Sequence, residues 1–286
     1  MKNKFIDTFM KNIFIISAMT SIIAIVLICI FIFAGGVPFI KEYGLINFLF
    51  GTLWKPTDTP PSYGILPMVL GSLYITTGAI ILGVPIGILT ALYLAKFCNK
   101  KIYKFLKSSV NLMAGIPSIV YGLFALTVIV PFIRGIVGGT GMNIITASIL
   151  LAIMILPTII GISEAAIRAV PESYYEGSIA LGASHEEAVM TVVLPAAKSG
   201  IISSVILGIG RAVGETMAVV FVAGNQARMP NGITKGIRTL TTNIVLEMAY
   251  ATDTHREALI GTATILFVFI LIINGLFSIV KRRGAN

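Results

Sequence analysis

The chain has 286 residues, of which 56% are hydrophobic and 12% are charged, and its mean hydropathy is +0.96. A soluble domain carries about twice this charged fraction, so the composition excludes a soluble globular protein and indicates an all-α integral membrane protein. The formal net charge is +9, but the basic residues are divided among short segments, which argues against a nucleic-acid partner.

Six apolar stretches approach or exceed the ~20 residues that a membrane-spanning helix needs. The sequence therefore predicts one transmembrane domain over residues 1–286. Its six spans lie at about residues 13–34, 66–96, 110–133, 144–163, 197–223 and 258–280. The first apolar stretch is longer than that of a signal peptide and has no obvious cleavage site, so we expect a retained anchor.

The distribution of lysine and arginine predicts the orientation. If the N-terminus is inside, thirteen of these residues lie in inner segments and seven in outer segments, and the inner group includes Lys2, Lys4, Lys281, Arg282 and Arg283. Positive residues accumulate on the cytoplasmic side of a membrane. We therefore expect a multi-pass protein of the cell (inner) membrane with both termini in the cytoplasm, and with residues 35–64 and 224–257 as loops outside it.

The two predicted outer loops differ in character. Residues 35–64 contain "WKPTDTPPSYG", whose prolines and turn residues predict an irregular loop. Trp54 and Tyr63 in this loop are expected at the membrane interface, where aromatic residues are enriched. Residues 224–257 contain an amphipathic pattern that predicts a short helix from about residue 242 to 249.

The inner loop of residues 164–196 carries several helix-boundary signals. Pro171 suits the first turn of a helix, and Gly182 suits its C-terminal stop. Ser184 and Glu187 fit a capping box that opens a second helix. Two short helices joined by a glycine turn indicate a docking surface, although an ordinary pair of interfacial helices would show the same pattern.

The predicted fifth span contains two charges, Arg211 and Glu215, in "GIGRAVGETMAVV". Each buried charge costs on the order of 2.5–3.5 kcal/mol in a membrane helix. A spacing of four residues in a helix places both side chains on one face, where they can pair. The pair is either an interhelical salt bridge that fixes packing or an anion site on a translocation path, since an arginine fork suits phosphate oxygens.

The inner loop resembles the "EAA" motif of ABC-importer permeases, E-A-A-x-x-x-G-x9-I-x-L-P. Glu176, Gly182, Leu194 and Pro195 match at the full spacing, whereas Gly177 and Ser178 replace the alanines and Val192 replaces the isoleucine. The resemblance implies that residues 164–196, here called the coupling loop, insert a coupling helix into a cleft of a cytoplasmic ATPase.

Five further stretches resemble the PstC family of phosphate-importer permeases: "YGILPMVLGSL", "AGIPSIVYG", "LAIMILPTI", "GRAVGETMAVV" and "RTLTTNIVLE". The resemblance implies a type I ABC importer permease fold and an inorganic phosphate importer. It also implies a PstA-like second permease, two copies of a PstB-like ATPase and a PstS-like phosphate-binding protein. It favours the anion-site interpretation of Arg211 and Glu215.

Several alternatives remain at this point. A PstA-type subunit has a similar Arg–Glu segment, and sulfate or molybdate permeases share the coupling motif. An intramembrane enzyme would need catalytic or metal-binding residues, and the sequence offers neither set. A passive anion channel would leave the coupling motif without a purpose. The chain lacks the phosphate-cradling motif G-x-x-x-x-G-K-[ST], so we expect no cofactor on this chain and ATP use by the partner ATPase.

Overall fold

A computed structural model describes the backbone of residues 2–283 and the side chains of residues 7–275 and 279. The basic residues Lys2, Lys4, Lys281, Arg282 and Arg283, used above for orientation, lie outside the described side chains. So do residues 276–278 and 280 of the sixth predicted span.

The described backbone is almost entirely helical. Its elements in chain order are α1 (Lys2–Tyr43), α2 (Leu45–Phe50), β1 (Trp54–Lys55), β2 (Ser62–Tyr63), α3 (Leu66–Leu92), α4 (Lys100–Gly115), α5 (Ser118–Phe124), α6 (Val130–Val137), α7 (Ile144–Arg168), α8 (Glu172–Ala180), α9 (His185–Ala188), α10 (Leu194–Ala196), α11 (Lys198–Gly214), α12 (Met217–Val222), α13 (Leu240–Glu247) and α14 (Asp253–Arg283). The two strands pair antiparallel as a small hairpin. Single π-helical turns extend α3, join α5 to α6 and join α9 to α10.

Five helical stretches are long and apolar enough to cross a membrane: Asp7–Tyr43, Leu66–Phe97, Ser118–Val137, Ile144–Arg168 and Asp253–Gly275. A sixth is a pair of helices, His185–Ala196 and Lys198–Gly214, that meet at a bend of 67°. The helices of the described part thus confirm the predicted all-α membrane fold with about six spans.

The predicted start of the third span, at residue 110, is wrong. That residue lies inside α4, which ends at Gly115, and Ile116 and Pro117 are extended. Proline disfavours the helical conformation of the residue before it, so the chain breaks at Ile116 and a new helix begins at Ser118. The first predicted span, residues 13–34, lies within α1, which extends beyond it at both ends, from Lys2 to Tyr43.

Helix α7 lies at the centre of the bundle and α1 at its edge. Two thirds of the most apolar part of α7 is buried inside the protein (67%), against 0% for α1. Leu151, Ile155 and Ile159 of α7 form the main core together with residues of α3, α5, α11 and α12. The exposed apolar face of α1 is consistent with contact with lipid, because the bilayer is the solvent for such a face.

The predicted irregular loop at residues 35–64 is ordered by an aromatic cluster. Phe39, near the end of α1, meets Phe48 and Tyr63 with ring centroids 5.4 Å apart in each pair. Trp54 and Tyr63 are 5% and 4% exposed, so both side chains pack inside the protein. These aromatic rings form a second core together with residues of α3, α13 and α14.

Candidate functional site

The predicted fifth span, residues 197–223, is broken at its middle. Helix α11 ends at Gly214, Glu215 is extended (φ −68°, ψ 131°), and α12 starts at Met217. The Glu215 side chain accepts a hydrogen bond from the amide of Ala218 at 3.1 Å. A carboxylate that accepts from a first-turn amide stabilises a helix start, so Glu215 favours a new helix over continuation of the old one.

The break separates the two charges that the sequence placed on one helical face. The guanidinium of Arg211 donates from Nη1 to the hydroxyl of Thr158 on α7 at 3.3 Å. Among the side chains that the structure describes, no salt bridge joins Arg211 to Glu215 or to any other carboxylate. The predicted pairing of Arg211 with Glu215 is therefore wrong for this conformation.

Close packing of α11 on α7 sets the position of Arg211. A β-carbon at Gly208 would lie 3.0 Å from Ile159 Cγ1, a tight contact that would require the Ile159 side chain to shift, so glycine favours this close approach. Further down the same helix pair, the buried hydroxyls of Ser163 and Ser204 are 2.6 Å apart. These contacts hold α11 against α7 on the N-terminal side of Arg211. As a result, Arg211 lies beside Thr158 of α7.

The opposite side of α11 is open. A β-carbon at Gly210 or Gly214 would meet nothing within 4 Å, and Leu207 of α11 and Met217 at the start of α12 are 55% and 42% exposed. On the inner side, the space lined by Ser72, Thr76 and Glu215 has no room for a water molecule. Half-buried Arg211 is therefore approached from the open surface of this chain and not through its core.

The coupling loop has the helix–turn–helix form predicted from the sequence. Gly182 has φ +93°, and the amides of Gly182 and Ala183 donate to the carbonyls of Ile179 and Ser178 at 2.9 and 3.2 Å. This is the hydrogen-bond pattern of a glycine-terminated helix. Ser184 and Glu187 form the predicted capping box.

The four residues matched to the coupling motif have different surroundings. Glu176, Gly182 and Pro195 are exposed and Leu194 is half-buried. Leu181, next to the turn, is 91% exposed. The loop thus presents an uncovered surface at the turn while its second helix packs on the bundle.

The coupling loop is fixed to the ends of the bundle helices. The hydroxyl of Tyr175 and Nδ1 of His185 are 2.9 Å apart, which links α8 to the start of α9. The ring of His185 packs on Phe97 at the end of the π turn after α3, with centroids 4.9 Å apart. Val189 and Val193 are buried against the ends of α3 and α7. A movement of this loop would therefore act directly on the bundle.

A buried carboxylate at the first residue of the coupling loop was missed by the sequence reasoning. Glu164 is 2% exposed. It accepts hydrogen bonds from Tyr103, Lys107 and Arg168 at 2.8, 2.7 and 2.8 Å. The hydrogen bond to Glu164, followed by burial, raises the pKa of Tyr103. The spacing of four residues between Glu164 and Arg168, which suits an ion pair on one helical face, was the sequence signal for this cluster.

A second missed carboxylate lies at the opposite end of the bundle. Glu247, at the end of α13, is 6% exposed. It accepts from Trp54 Nε1 at 2.8 Å, lies 2.9 Å from His255 Nε2, and pairs with Arg238. These contacts join the hairpin, the 224–257 loop and the start of α14. No sequence spacing indicated them, because Trp54 and Glu247 are 193 residues apart.

Comparisons with known proteins agree on the class of protein. Residues 83–285 match the family model described as "Binding-protein-dependent transport system inner membrane component". The chain is 38% identical over 270 residues to the "Probable ABC transporter permease protein YqgH" of Bacillus subtilis. This alignment covers 91% of this chain and 87% of that protein. It is 32% identical over 267 residues to the "Phosphate transport system permease protein PstC" of Mesorhizobium japonicum, covering 86% and 81%.

A solved structure shares the fold. An inward-facing structure of the MetNI methionine ABC transporter superposes with a TM-score of 0.64 and is 22% identical, covering 77% of this chain and 95% of that one. At this identity the likeness concerns the fold and carries no information on the transported molecule.

Proposed function

The chain belongs to the family of binding-protein-dependent transport system inner membrane components, and on that premise we propose that it is a permease subunit of an ATP-driven importer of inorganic phosphate. As an ABC importer permease it is a transport subunit and not an enzyme, and ATP is hydrolysed by a separate chain. The phosphate assignment is supported by the similarity to PstC permeases.

The observation that carries the substrate proposal is the state of Arg211. Its side chain is half-buried at the open side of α11, donates to a neutral hydroxyl and has no carboxylate partner among the described side chains. A positive charge without a partner in a low-dielectric region is costly, and an anion that arrives from the open side of α11 would offset that cost. The planar fork of arginine suits two oxygens of one phosphate.

Glu215 supplies the proposed selectivity. Inorganic phosphate retains a proton near neutral pH, and sulfate does not. A carboxylate near the bound anion accepts a hydrogen bond from a protonated phosphate oxygen but repels a fully ionised sulfate. This proposal is supported by the position of Glu215 at the helix break, where its carboxylate accepts a hydrogen bond from the amide of Ala218.

The open side of α11 is proposed to face a PstA-like second permease. Arg211 lies at the surface of this chain, so a path around it needs a second wall. We assign the coupling loop, with Glu176, Gly182, Leu194 and Pro195, to contact with one of two PstB-like ATPase chains. A PstS-like binding protein would deliver phosphate at the opposite end, and both termini would lie in the cytoplasm.

The test is uptake by the reconstituted complex of this chain with its second permease, ATPase and binding protein. We expect ATP-dependent accumulation of radiolabelled phosphate that excess arsenate inhibits and excess sulfate or molybdate does not. ATP-driven uptake of sulfate or molybdate in place of phosphate would contradict the proposal and assign the chain to another oxyanion. Uptake that needs no ATP would indicate a passive channel.

A further inference from the structure

Helix α13 lies in the predicted outer loop of residues 224–257, but its first residues are as buried as those of a core helix. Its first residues, from Leu240 to Asn243, are at most 7% exposed, and the preceding Thr239 is 4% exposed. The amide of Leu240 donates to the hydroxyl of Ser72 on α3 at 3.0 Å. The start of α13 is therefore inserted among the bundle helices and does not lie on the surface.

The inserted end touches the break between α11 and α12. Thr241 Oγ1 donates a hydrogen bond to the backbone carbonyl of Glu215 at 3.0 Å. Carbonyl groups at a helix end lack their regular helical partners, and in a membrane an unpaired carbonyl is costly. Thr241 thus gives the backbone carbonyl of Glu215 a hydrogen-bond partner, and the side chain of Glu215 is the proposed selectivity carboxylate.

The hydroxyl of Thr241 lies beside the cap of α13. It donates its proton to the Glu215 carbonyl, and its oxygen lies 3.0 Å from Thr239 Oγ1, which in turn donates to Thr242 Oγ1 at 3.0 Å. Thr239 caps α13 through the amide of Thr242. The contact to Glu215 is therefore part of the cap of α13 and moves with that helix.

The other end of α13 is fixed as well. Glu247 joins it to Trp54 of the hairpin, to Arg238 and to His255 of α14. One short helix thus connects the surface loops at this end of the bundle with the break beside Arg211.

We propose that Thr241 is a positioning residue for Glu215, so that α13 sets the geometry of the helix break from the outer loops. This inference rests on the proposed function for its role in transport. Its structural part, that Thr241 holds the break, is independent of which anion is carried.

The first measurement is hydrogen exchange of residues 214–222 in the assembled complex. Thr241→Val removes the hydroxyl at nearly constant volume and should speed exchange about three- to tenfold, the range that one hydrogen bond contributes. Thr241→Ser retains the hydroxyl and should behave as wild type. Thr264→Val is the matched control, because Thr264 also donates to a carbonyl, that of Ile32, at 3.0 Å but on another helix pair. Unchanged exchange in Thr241→Val, or equal acceleration by Thr264→Val, would overturn the inference.

The second measurement is a double-mutant cycle on phosphate uptake. If Thr241 acts by placing the Glu215 carboxylate, Thr241→Val should lower uptake per assembled complex about three- to tenfold in the wild-type background and have little effect in Glu215→Ala. Effects that multiply would show a merely structural threonine and contradict the positioning role. If the wild-type complex does not transport phosphate, the proposed function fails, and the exchange experiment still decides the inference.

Discussion

The guanidinium of Arg211 donates to the hydroxyl of Thr158 on α7, and Glu215, four residues further along the chain, instead accepts from the amide of Ala218. The two charges therefore have separate neutral partners in this conformation. Neither contact compensates a full charge, and an anion at Arg211 is what the proposed function adds.

Replacement of Arg211 by lysine should separate the effect of the positive charge from that of the planar guanidinium fork. Lysine keeps the positive charge but loses the planar fork, so we expect phosphate uptake per assembled complex to fall at least about tenfold while membrane level and complex formation persist. Arg134→Lys, at an exposed site on α6, is the matched control and should transport normally. If uptake by Arg211→Lys fell only in proportion to the amount of assembled protein, Arg211 would have a structural role.

Replacement of Glu215 by glutamine should preserve the helix break. The amide oxygen of glutamine can still accept from Ala218, so the start of α12 and the thermal stability of the complex should change little. Loss of the negative charge should reduce discrimination between phosphate and sulfate and lower the phosphate transported per ATP hydrolysed. The measurement is uptake and ATP hydrolysis in the same vesicles with both anions. Unchanged selectivity and coupling would contradict the role of the carboxylate.

Replacement of Glu164 by alanine should destabilise the coupling end of the bundle. Tyr103, Lys107 and Arg168 would lose their common acceptor. Breaking a buried ion pair costs about 3–5 kcal/mol, but Lys107 and Arg168 are 29% and 45% exposed, so we expect about 2 kcal/mol. Thermal unfolding of the purified complex measures this. Glu172→Ala, whose side chain is 62% exposed, should have a much smaller effect.

The parts of the fold that local patterns determine could be predicted from the sequence. Apolar run length gave the number of spans, and Gly182 with the Ser184–Glu187 box gave the form of the coupling loop. The helix break at Glu215 could not be predicted, because the spacing of four residues between Arg211 and Glu215 fits a continuous helix. The clusters at Glu164 and Glu247 depend on residues distant in the chain, such as Trp54, and burial of Trp54 follows from partners that no local pattern indicates.

The orientation can be tested with single cysteines after replacement of Cys29 and Cys98 by serine. Thr57 and Lys101 are both exposed in the structure, so labelling at these positions reports the side of the membrane and not burial. A cysteine at Thr57 should react with an impermeant maleimide added to intact cells, and one at Lys101 should react only after the membrane is opened. The reverse pattern would contradict the orientation inferred from lysine and arginine.

Two glycines in the coupling loop make a matched pair for testing the contact with the ATPase. A β-carbon at Gly177, inside α8, or at Gly182, at its end, would meet nothing within 4 Å, so alanine adds no clash at either site. Gly182 has φ +93°, where a side chain costs about 1–2 kcal/mol. Gly177 is helical, where alanine gains about 0.5–1 kcal/mol. Gly182→Ala should therefore weaken copurification of the ATPase and lower ATP-driven uptake, and Gly177→Ala should preserve or strengthen both. Equal ATPase binding by the two variants would show that the turn conformation does not determine docking, and the coupling assignment of Gly182 would fail.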